Sequence, residues 1–261
     1  LGVLRGQARL LAKEDLVLSG REVFEACIRF HDPFAELIWL FEDGQMILKK
    51  QNICTVKADL ARLLKAERVA LNFLGHLSGI ATVTRCFVQK VAHTKTKILD
   101  TRKTLPGYRA LQKQAVVHGG GVNHRMNLSD AVMIKDNHIA ACGSITEAVA
   151  RVRAKGHRFI EVEARTLEEV HEAVKCKANQ ILLDNMSNEI LKSALAIIPR
   201  DIKTEASGNM NLERVAGVAE LGVGFISVGA LTHSAPTCDV SLKIEWSKVK
   251  QFPASMPEVK S

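Results

Sequence analysis

What most constrains this chain is an alternation that starts near residue 80 and runs to about residue 235, in which short apolar segments are each followed by a capped helix. Residues 159–163, 181–184, 202–205 and 225–228 are strand-like. Ser144-Ile-Thr-Glu147 and Thr166-Leu-Glu-Glu169 read as capping boxes, Gly156 stops the first of these helices, and Ser187 and Asn211 can cap two more. Such alternation implies parallel strands joined by helical crossovers. Glu163, Asp184 and Glu205 fall 21 residues apart, Ser227 follows 22 later, and each closes an apolar strand. Lys135 closes residues 131–134 in the same manner, and Arg102 and Lys103 follow residues 98–100. In a (β/α) barrel the strand C-termini converge on one face, where chemistry is done. Six or seven strands can be counted rather than a clear eight, so an incomplete or open barrel is expected. A doubly wound sheet is the alternative, and it would spread these residues along a crevice.

The first part of the chain reads differently, as antiparallel β with helices. Residues 8–18 form a strand that ends at the turn Ser19-Gly20, and Asp43-Gly44 is a favoured hairpin turn. Residues 57–77 read as a helix, with Leu60, Leu63, Leu64, Leu71, Leu74 and Leu77 at helical spacing and the second half apolar nearly all round, the mark of a buried helix. After about Pro236 the strand–helix rhythm stops. Residues 240–246 alternate as a strand would, and they are expected to rejoin the first domain. The division expected is residues 1–79 plus 236–261 in one domain and 80–235 in the other.

With 261 residues, 47% of them apolar, the chain can bury a sizeable core, and no apolar run is long enough to span a bilayer. It begins at Leu1 with no visible secretory signal, and it reads as a fragment. Six scattered cysteines contain no C-x-x-C pair, which argues against zinc ligation and a disulfide framework and for reduced thiols in a cytoplasmic protein. The net charge of +8 is concentrated between residues 95 and 135, while aromatics are only 5% with Tyr108 the single tyrosine. That pattern suits a pocket for a small polyanion better than a nucleic-acid track or a membrane surface.

Arg102, Lys103, His124, Arg125 and Lys135, at or just after strand ends, would repel one another unless an anion arrives. Glu163 and Asp184, on neighbouring strands, suggest acid–base work, metal binding or stabilisation of a positive transition state, with ion pairing to the nearby lysines as the plain alternative. Ser207-Gly-Asn209 and Gly229-Ala230, about one βα unit apart, resemble the phosphate-binding loops that follow late barrel strands. The Gly119-Gly-Gly121 stretch is neither a Walker A nor a dinucleotide fingerprint, but it can deliver His124 and Arg125 to a ligand. His118 is taken as structural, and His138 and Glu205 are left without a role. The sum is an enzyme that handles a carboxylate and a sugar phosphate.

Eight segments carry a resemblance: Glu67-Arg-Val-Ala-Leu-Asn-Phe-Leu74 with Ser78-Gly-Ile-Ala-Thr82, Asp100-Thr-Arg-Lys-Thr-Leu-Pro-Gly107, Gly119-Gly-Gly-Val-Asn-His-Arg-Met126, Ile134-Lys-Asp-Asn-His138, Glu161-Val-Glu163, Leu183-Asp-Asn185, Glu205-Ala-Ser-Gly-Asn209 and Val228-Gly-Ala-Leu-Thr-His233. In this order they resemble the quinolinate phosphoribosyltransferase family, from Ala8 to about Ile244. The resemblance implies an N-terminal α/β sandwich plus an open seven-stranded α/β barrel, the type II phosphoribosyltransferase architecture, working as a homodimer or a higher oligomer of dimers. The family's usual helical segment before the first strand is not part of this sequence and would supply part of that dimer surface. The implied reaction joins quinolinate to phosphoribosyl pyrophosphate, with magnesium, and yields nicotinate mononucleotide, carbon dioxide and pyrophosphate for NAD biosynthesis.

By the same resemblance Arg102, His124, Arg125 and Lys135 would hold the two quinolinate carboxylates, and Arg68 would be lent by a partner subunit. Lys103 and Lys135 would meet the pyrophosphate, Glu163 and Asp184 the ribose charge, and Ser207, Gly208, Asn209, Gly229 and His233 the 5-phosphate. Magnesium would be met by the pyrophosphate with Glu163 and Asp184. Three rivals stand beside this reading: a nicotinate-using enzyme, a relative linked to molybdenum transport, and a non-enzymatic nucleotide- or nucleic-acid-binding module. The first would not need so many carboxylate binders, the second is not expected to carry Lys135-Asp-Asn-His138, and the third would not require Glu163 and Asp184.

Overall fold

The computed structural model describes residues 4–128 and 131–251. The chain runs β1 (Leu4–Ala12), β2 (Leu16–Val17), α1 (Arg21–His31), β3 (Glu36–Trp39), β4 (Met46–Ile47), β5 (Asn52–Asp59), α2 (Leu60–Val91), β6 (Lys97–Leu99) and α3 (Arg109–His118). It continues through β7 (Val132–Ile134), α4 (Asp136–Cys142), α5 (Ile145–Ala154), β8 (Ile160–Ala164), α6 (Leu167–Lys175), β9 (Gln180–Asp184), α7 (Asn188–Ile197) and β10 (Lys203–Ser207). Last come α8 (Val215–Glu220), β11 (Phe225–Ser227), α9 (Ala230–His233), β12 (Val240–Ile244) and β13 (Lys250–Gln251). Two compact units result: Leu1–Val83 with Val117–Gly120 and Ala235–Ser261, and Thr84–Val116 with Gly121–Ser234.

The first unit is built on an antiparallel sheet in the order β12-β1-β5-β3, to which β13 adds a short pairing with β1. Alternate residues of β1 (Ala8, Leu10, Ala12) are fully buried, as a half-buried strand requires, and they join Phe24 and Ile28 of α1 and Leu63, Ala66, Ala70 and Leu74 of α2 in one core. The tail returns as β12 to pair with β1, Ala8 opposite Ile244 and Ala12 opposite Val240.

Local readings differ from this unit in four places. The expected strand over residues 8–18 breaks after Ala12 and resumes only as β2. Asp43-Gly44 does form a turn, with Gly44 at φ +88°, but it is no hairpin, because β3 pairs with β5 and β4 with β2. The expected helix over 57–77 starts later, since residues 57–59 finish β5, and Asp59 Oδ1 accepts from Arg62 N at 3.0 Å to open α2. That helix also runs on to Val91. Its glycines mark a close approach rather than a stop: a Cβ on Gly75 would lie 2.7 Å from the Cys238 carbonyl oxygen, and one on Gly79 1.8 Å from that of Pro236. Leu64, expected on the buried face, is exposed.

The second unit holds six parallel strands in the order β6-β11-β10-β9-β8-β7, and a parallel bridge between Leu99 and Val122 adds a seventh position beyond β6. Among the described residues no pairing joins β7 to Val122, so the sheet stays open. The expected caps are in place: Ser144, Thr166 and Ser187 accept from the backbone N–H of Glu147, Glu169 and Ile190. Asn211 Oδ1 accepts from Arg214 N in the turn that leads into α8. All five residues of β8 are buried, and the apolar β-branched and leucine side chains of β8 and β9 contribute roughly 1.5–3 kcal/mol each. This is an α/β fold whose parallel strands all end on one side, which decides where the polar residues meet. Among the described residues no helix is long and apolar enough to cross a membrane, and all six cysteines are free.

Candidate active site

A cavity of about 1010 Å³ opens at the C-terminal ends of the parallel strands. Arg102, Lys103, His124, Arg125, Lys135, Glu163, Asp184, Ser207, Gly208, Asn209, Gly229 and His233 all line it. Arg68 does not: it is exposed on α2, in the first unit. The volume is at the upper end of the range for small-molecule sites, which suits two substrates held together.

Strand register sorts the acids by depth. Glu163 and Glu205 both face Leu182, so they share one level, while Asp184 faces Ser207 and stands two residues nearer the mouth. The even 21-residue spacing suggests equivalent positions; in the sheet β10 runs on past Glu205 to Ser207, so Glu205 lies deep and does not close its strand. Glu161, two residues before Glu163 on the same face of β8, is deeper still.

Near the mouth the charges are paired. Lys135 Nζ lies 2.5 Å from Glu163 Oε2. Arg165 reaches Asp136 at 2.7 Å, Glu163 at 3.4 Å and Asp184 at 3.7 Å, and so ties both candidate catalytic acids to one guanidinium. Arg102 Nε, by contrast, is buried with no hydrogen-bond partner among the described residues. An unmatched guanidinium N–H beside a cavity rich in cations is a ready place for a carboxylate.

The loop that brings in His124 is fixed by a buried ion pair. Asp100, just after β6, and Lys113 of α3 are wholly buried and bonded to each other. Asp100 Oδ1 also accepts from His124 N at 2.9 Å, and Lys113 Nζ donates to the His124 carbonyl at 2.8 Å. Burial drives the Asp100 carboxyl above its usual range against the opposing pull of Lys113. Gly121 gives this loop its close approach, since a Cβ there would sit 2.7 Å from the Val116 side chain.

The loops after β9 and β10 interlock. Asn185, Gly208 and Asn209 are left-handed, at φ +56°, +93° and +49°. Asn185 N donates to Ser207 O at 2.9 Å and Asn209 Nδ2 to Asn185 Oδ1 at 3.2 Å. A Cβ on Gly208 would fall 2.1 Å from Asn185 Oδ1, so only glycine fits. Arg214 clamps both loops from behind, donating to the carbonyls of Gly208 (3.1 Å) and Met186 (2.5 Å). Thr232 Oγ1 donates to Lys103 O at 2.8 Å, which pins the loop after β6 to α9.

Sequence reasoning therefore missed Arg165, Asn185 and Arg214. Arg165 had a signal, standing directly after β8 in the position that Lys135 takes after β7. Arg214 had none, because its partners are carbonyls on distant loops. His118 makes a contact within the first unit, and His138 both lines the cavity and bonds at a helix start. His118 Nδ1 bonds Ser19 Oγ at 2.9 Å, and His138 Nδ1 accepts from Lys135 N at 3.0 Å at the start of α4.

Known proteins resemble this chain over most of its length. Residues 80–243 match the family model of the quinolinate phosphoribosyl transferase C-terminal domain, and residues 2–78 match that of its N-terminal domain. The chain is 44% identical over 245 residues to a protein of Synechocystis named probable nicotinate-nucleotide pyrophosphorylase (carboxylating), covering 92% of this chain and 83% of that one. A Bacillus subtilis protein of the same name is 42% identical, with 92% and 84% covered. Among solved structures, NadC from Streptococcus pyogenes superposes with a TM-score of 0.88 at 38% identity, over 95% of this chain and 87% of that chain.

The Asp100–Lys113 pair yields a direct expectation. Lys113→Met leaves a buried carboxylate alone, so unfolding in urea should show a loss of about 3–5 kcal/mol. The double replacement Asp100→Asn with Lys113→Met should recover part of it. A single variant as stable as the parent would remove the pair from its anchoring role.

Proposed function

The chain belongs to the quinolinate phosphoribosyltransferase family, and from that premise we propose how its residues divide the reaction. It is a phosphoribosyl-transferring enzyme of NAD biosynthesis that joins quinolinate to phosphoribosyl pyrophosphate and yields nicotinate mononucleotide, carbon dioxide and pyrophosphate. The observation that supports the division best is the cavity itself, lined together by Arg102, Lys103, Arg125 and Lys135, by Glu163 and Asp184, and by the small-residue loops at Ser207-Gly-Asn209 and Gly229.

In this reading Arg102, His124, Arg125 and Lys135 take the two carboxylates of quinolinate, and the unmatched Arg102 Nε is one donor ready for them. Ser207, Gly208, Asn209, Gly229 and His233 hold the 5-phosphate, with Asn185 and Arg214 keeping the loops rigid. Lys103 and Lys135 receive the diphosphate. As the bond to the diphosphate breaks, positive charge develops on the ribose, and Glu163 and Asp184 stabilise it; Arg165 holds the pair in place beforehand. Ribosylation makes the ring nitrogen positive. That charge in turn stabilises the carbanion left when the 2-carboxylate departs, so decarboxylation follows transfer.

Glu163 and Asp184 do not fit a resident magnesium ion, because their oxygens already face Lys135 and Arg165. Magnesium in this reading would enter with the diphosphate substrate, whose charge it would offset. Arg68, exposed on α2 and matching a family ligand position, reaches the cavity of a second copy, which makes the working unit a homodimer. The location is cytoplasmic, a reading that rests on six free thiols.

Three measurements test this. Turnover with quinolinate should exceed turnover with nicotinate by the worth of one desolvated charge pair, about 2–5 kcal/mol in kcat/KM; equal values would point to the nicotinate enzyme instead. Glu163→Gln and Asp184→Asn should lower kcat by about a hundredfold or more while leaving KM nearly unchanged. A large fall in Tm with turnover intact per folded molecule would reduce both acids to ion-pair partners. Mixing Arg68→Ala with Arg102→Ala protein should restore part of the activity, and no recovery after demonstrated subunit exchange would exclude a shared site.

A further inference from the structure

Between the acids and the phosphate cradle stands a side chain that the roles above use only as a loop tie. Asn185 follows Asp184 at the end of β9 and lines the cavity. Its Nδ2 donates to Asp184 Oδ2 at 2.8 Å, and its Oδ1 accepts from Asn209 Nδ2 at 3.2 Å. Chemistry fixes the direction of this chain of bonds. An ionised carboxylate only accepts, so the amide must turn its NH2 to Asp184. Its carbonyl oxygen is then left for a donor, which Asn209 supplies. One amide thus joins an acid of the ribose site to a residue of the 5-phosphate cradle.

The backbone keeps that amide in place. Asn185 N donates to Ser207 O at 2.9 Å. The residue sits at φ +56°, a left-handed conformation that asparagine tolerates better than most. Its side chain lies close against the next loop, where a Cβ on Gly208 would meet Asn185 Oδ1 at 2.1 Å and Asn185 N at 2.9 Å.

Asp184 has need of such a holder. Glu163 has a cation at each oxygen, Lys135 at Oε2 and Arg165 at Oε1. Among the described residues, the one cation within ion-pair reach of Asp184 is Arg165. It lies 3.7 Å away, beyond hydrogen-bond reach, and it is shared with Asp136 and Glu163. The direct bond to Asp184 is therefore the one from Asn185. Both contacts fall on Oδ2, and among the described residues no hydrogen bond or ion pair falls on Oδ1. Gripping one oxygen leaves the other for the substrate.

We propose that Asn185 is a positioning residue for ribosyl transfer: it holds Asp184 by Oδ2, leaves Oδ1 for the positive charge that develops on the ribose, and is itself set by Asn209 of the phosphate cradle. This deepens the roles given above to Asp184 and to the 5-phosphate loops, and it rests on them. The 5-phosphate and the reacting carbon belong to one sugar. A bond between the loop that holds the first and the acid that faces the second keeps the two subsites in register before substrate arrives, so no reorganisation is left for the moment of reaction.

The experiment is a double-mutant cycle on kcat, read with quinolinate and phosphoribosyl pyrophosphate both saturating so that changes in affinity do not enter. Asn185→Gly removes both side-chain bonds and keeps the left-handed backbone and its N–H. In the parent it should lower kcat by roughly tenfold, the scale of a small misplacement of a catalytic group. In Asp184→Asn the same replacement should change kcat by less than about twofold, because the group it positions has lost its charge. Equal losses in both backgrounds would overturn the proposal and leave Asn185 a tie between loops, and so would an unchanged kcat in the parent. The KM for quinolinate should be alike in parent and Asn185→Gly; a rise as large as the fall in kcat would overturn the proposal as general damage to the cavity. If Asn185→Gly does not fold, Asn185→Ala takes its place in the cycle. A kcat for Asp184→Asn equal to that of the parent would instead reject the role given to Asp184, and the proposal with it.

Discussion

The site depends first on a single buried ion pair. Asp100 ends the run of β6 and Lys113 stands on α3, and neither sees solvent. Desolvating two charges is expensive, and the geometry answers that cost with further bonds, among them two to the backbone of His124. The pair is thus a fastener for the loop after Gly121, and it sets the height at which His124 and Arg125 enter the cavity. A hydrophobic pair could fill the same space, but it could not bind an N–H and a carbonyl of one residue at the same time.

From that fastening the site builds upward. At the base Gln180 donates to both Glu161 and Glu205, and His124 Nε2 lies 3.5 and 3.4 Å from the same two acids. Glu163, level with Glu205, and Asp184, two residues above it, are met instead by the cations Lys135 and Arg165. The same residue type differs in its partners, a lysine and an arginine for Glu163 and an amide and an imidazole for Glu205. Near the mouth an ion pair can open when an anionic substrate competes for its cation.

Much of this was legible in the chain itself. Capping residues, apolar runs of strand length and the repeat between residues 80 and 235 are local properties, set by backbone hydrogen bonding and side-chain alternation. They pointed to parallel strands with their polar residues gathered at one end, and all of the named cavity residues except Arg68 do meet there. What misled was also local. Asp43-Gly44 looks like a hairpin, because a short window cannot see that β3 has β5 for its partner.

By itself, then, the sequence determined the alternation of strands and helices, the end of the sheet where charges collect, and the residue types that resemble one enzyme family. Only the tertiary structure decided depth. Sequence spacing makes Glu163, Asp184 and Glu205 equivalent, but strand register puts Asp184 two residues above Glu205 and turns Glu205 toward His124 and Gln180. Likewise, nothing near Arg165 in the chain announces that its guanidinium spans three carboxylates. Periodicity counts residues along one strand, whereas the stagger between strands is a property of their hydrogen-bonded ladder, and that ladder exists only once the sheet has formed.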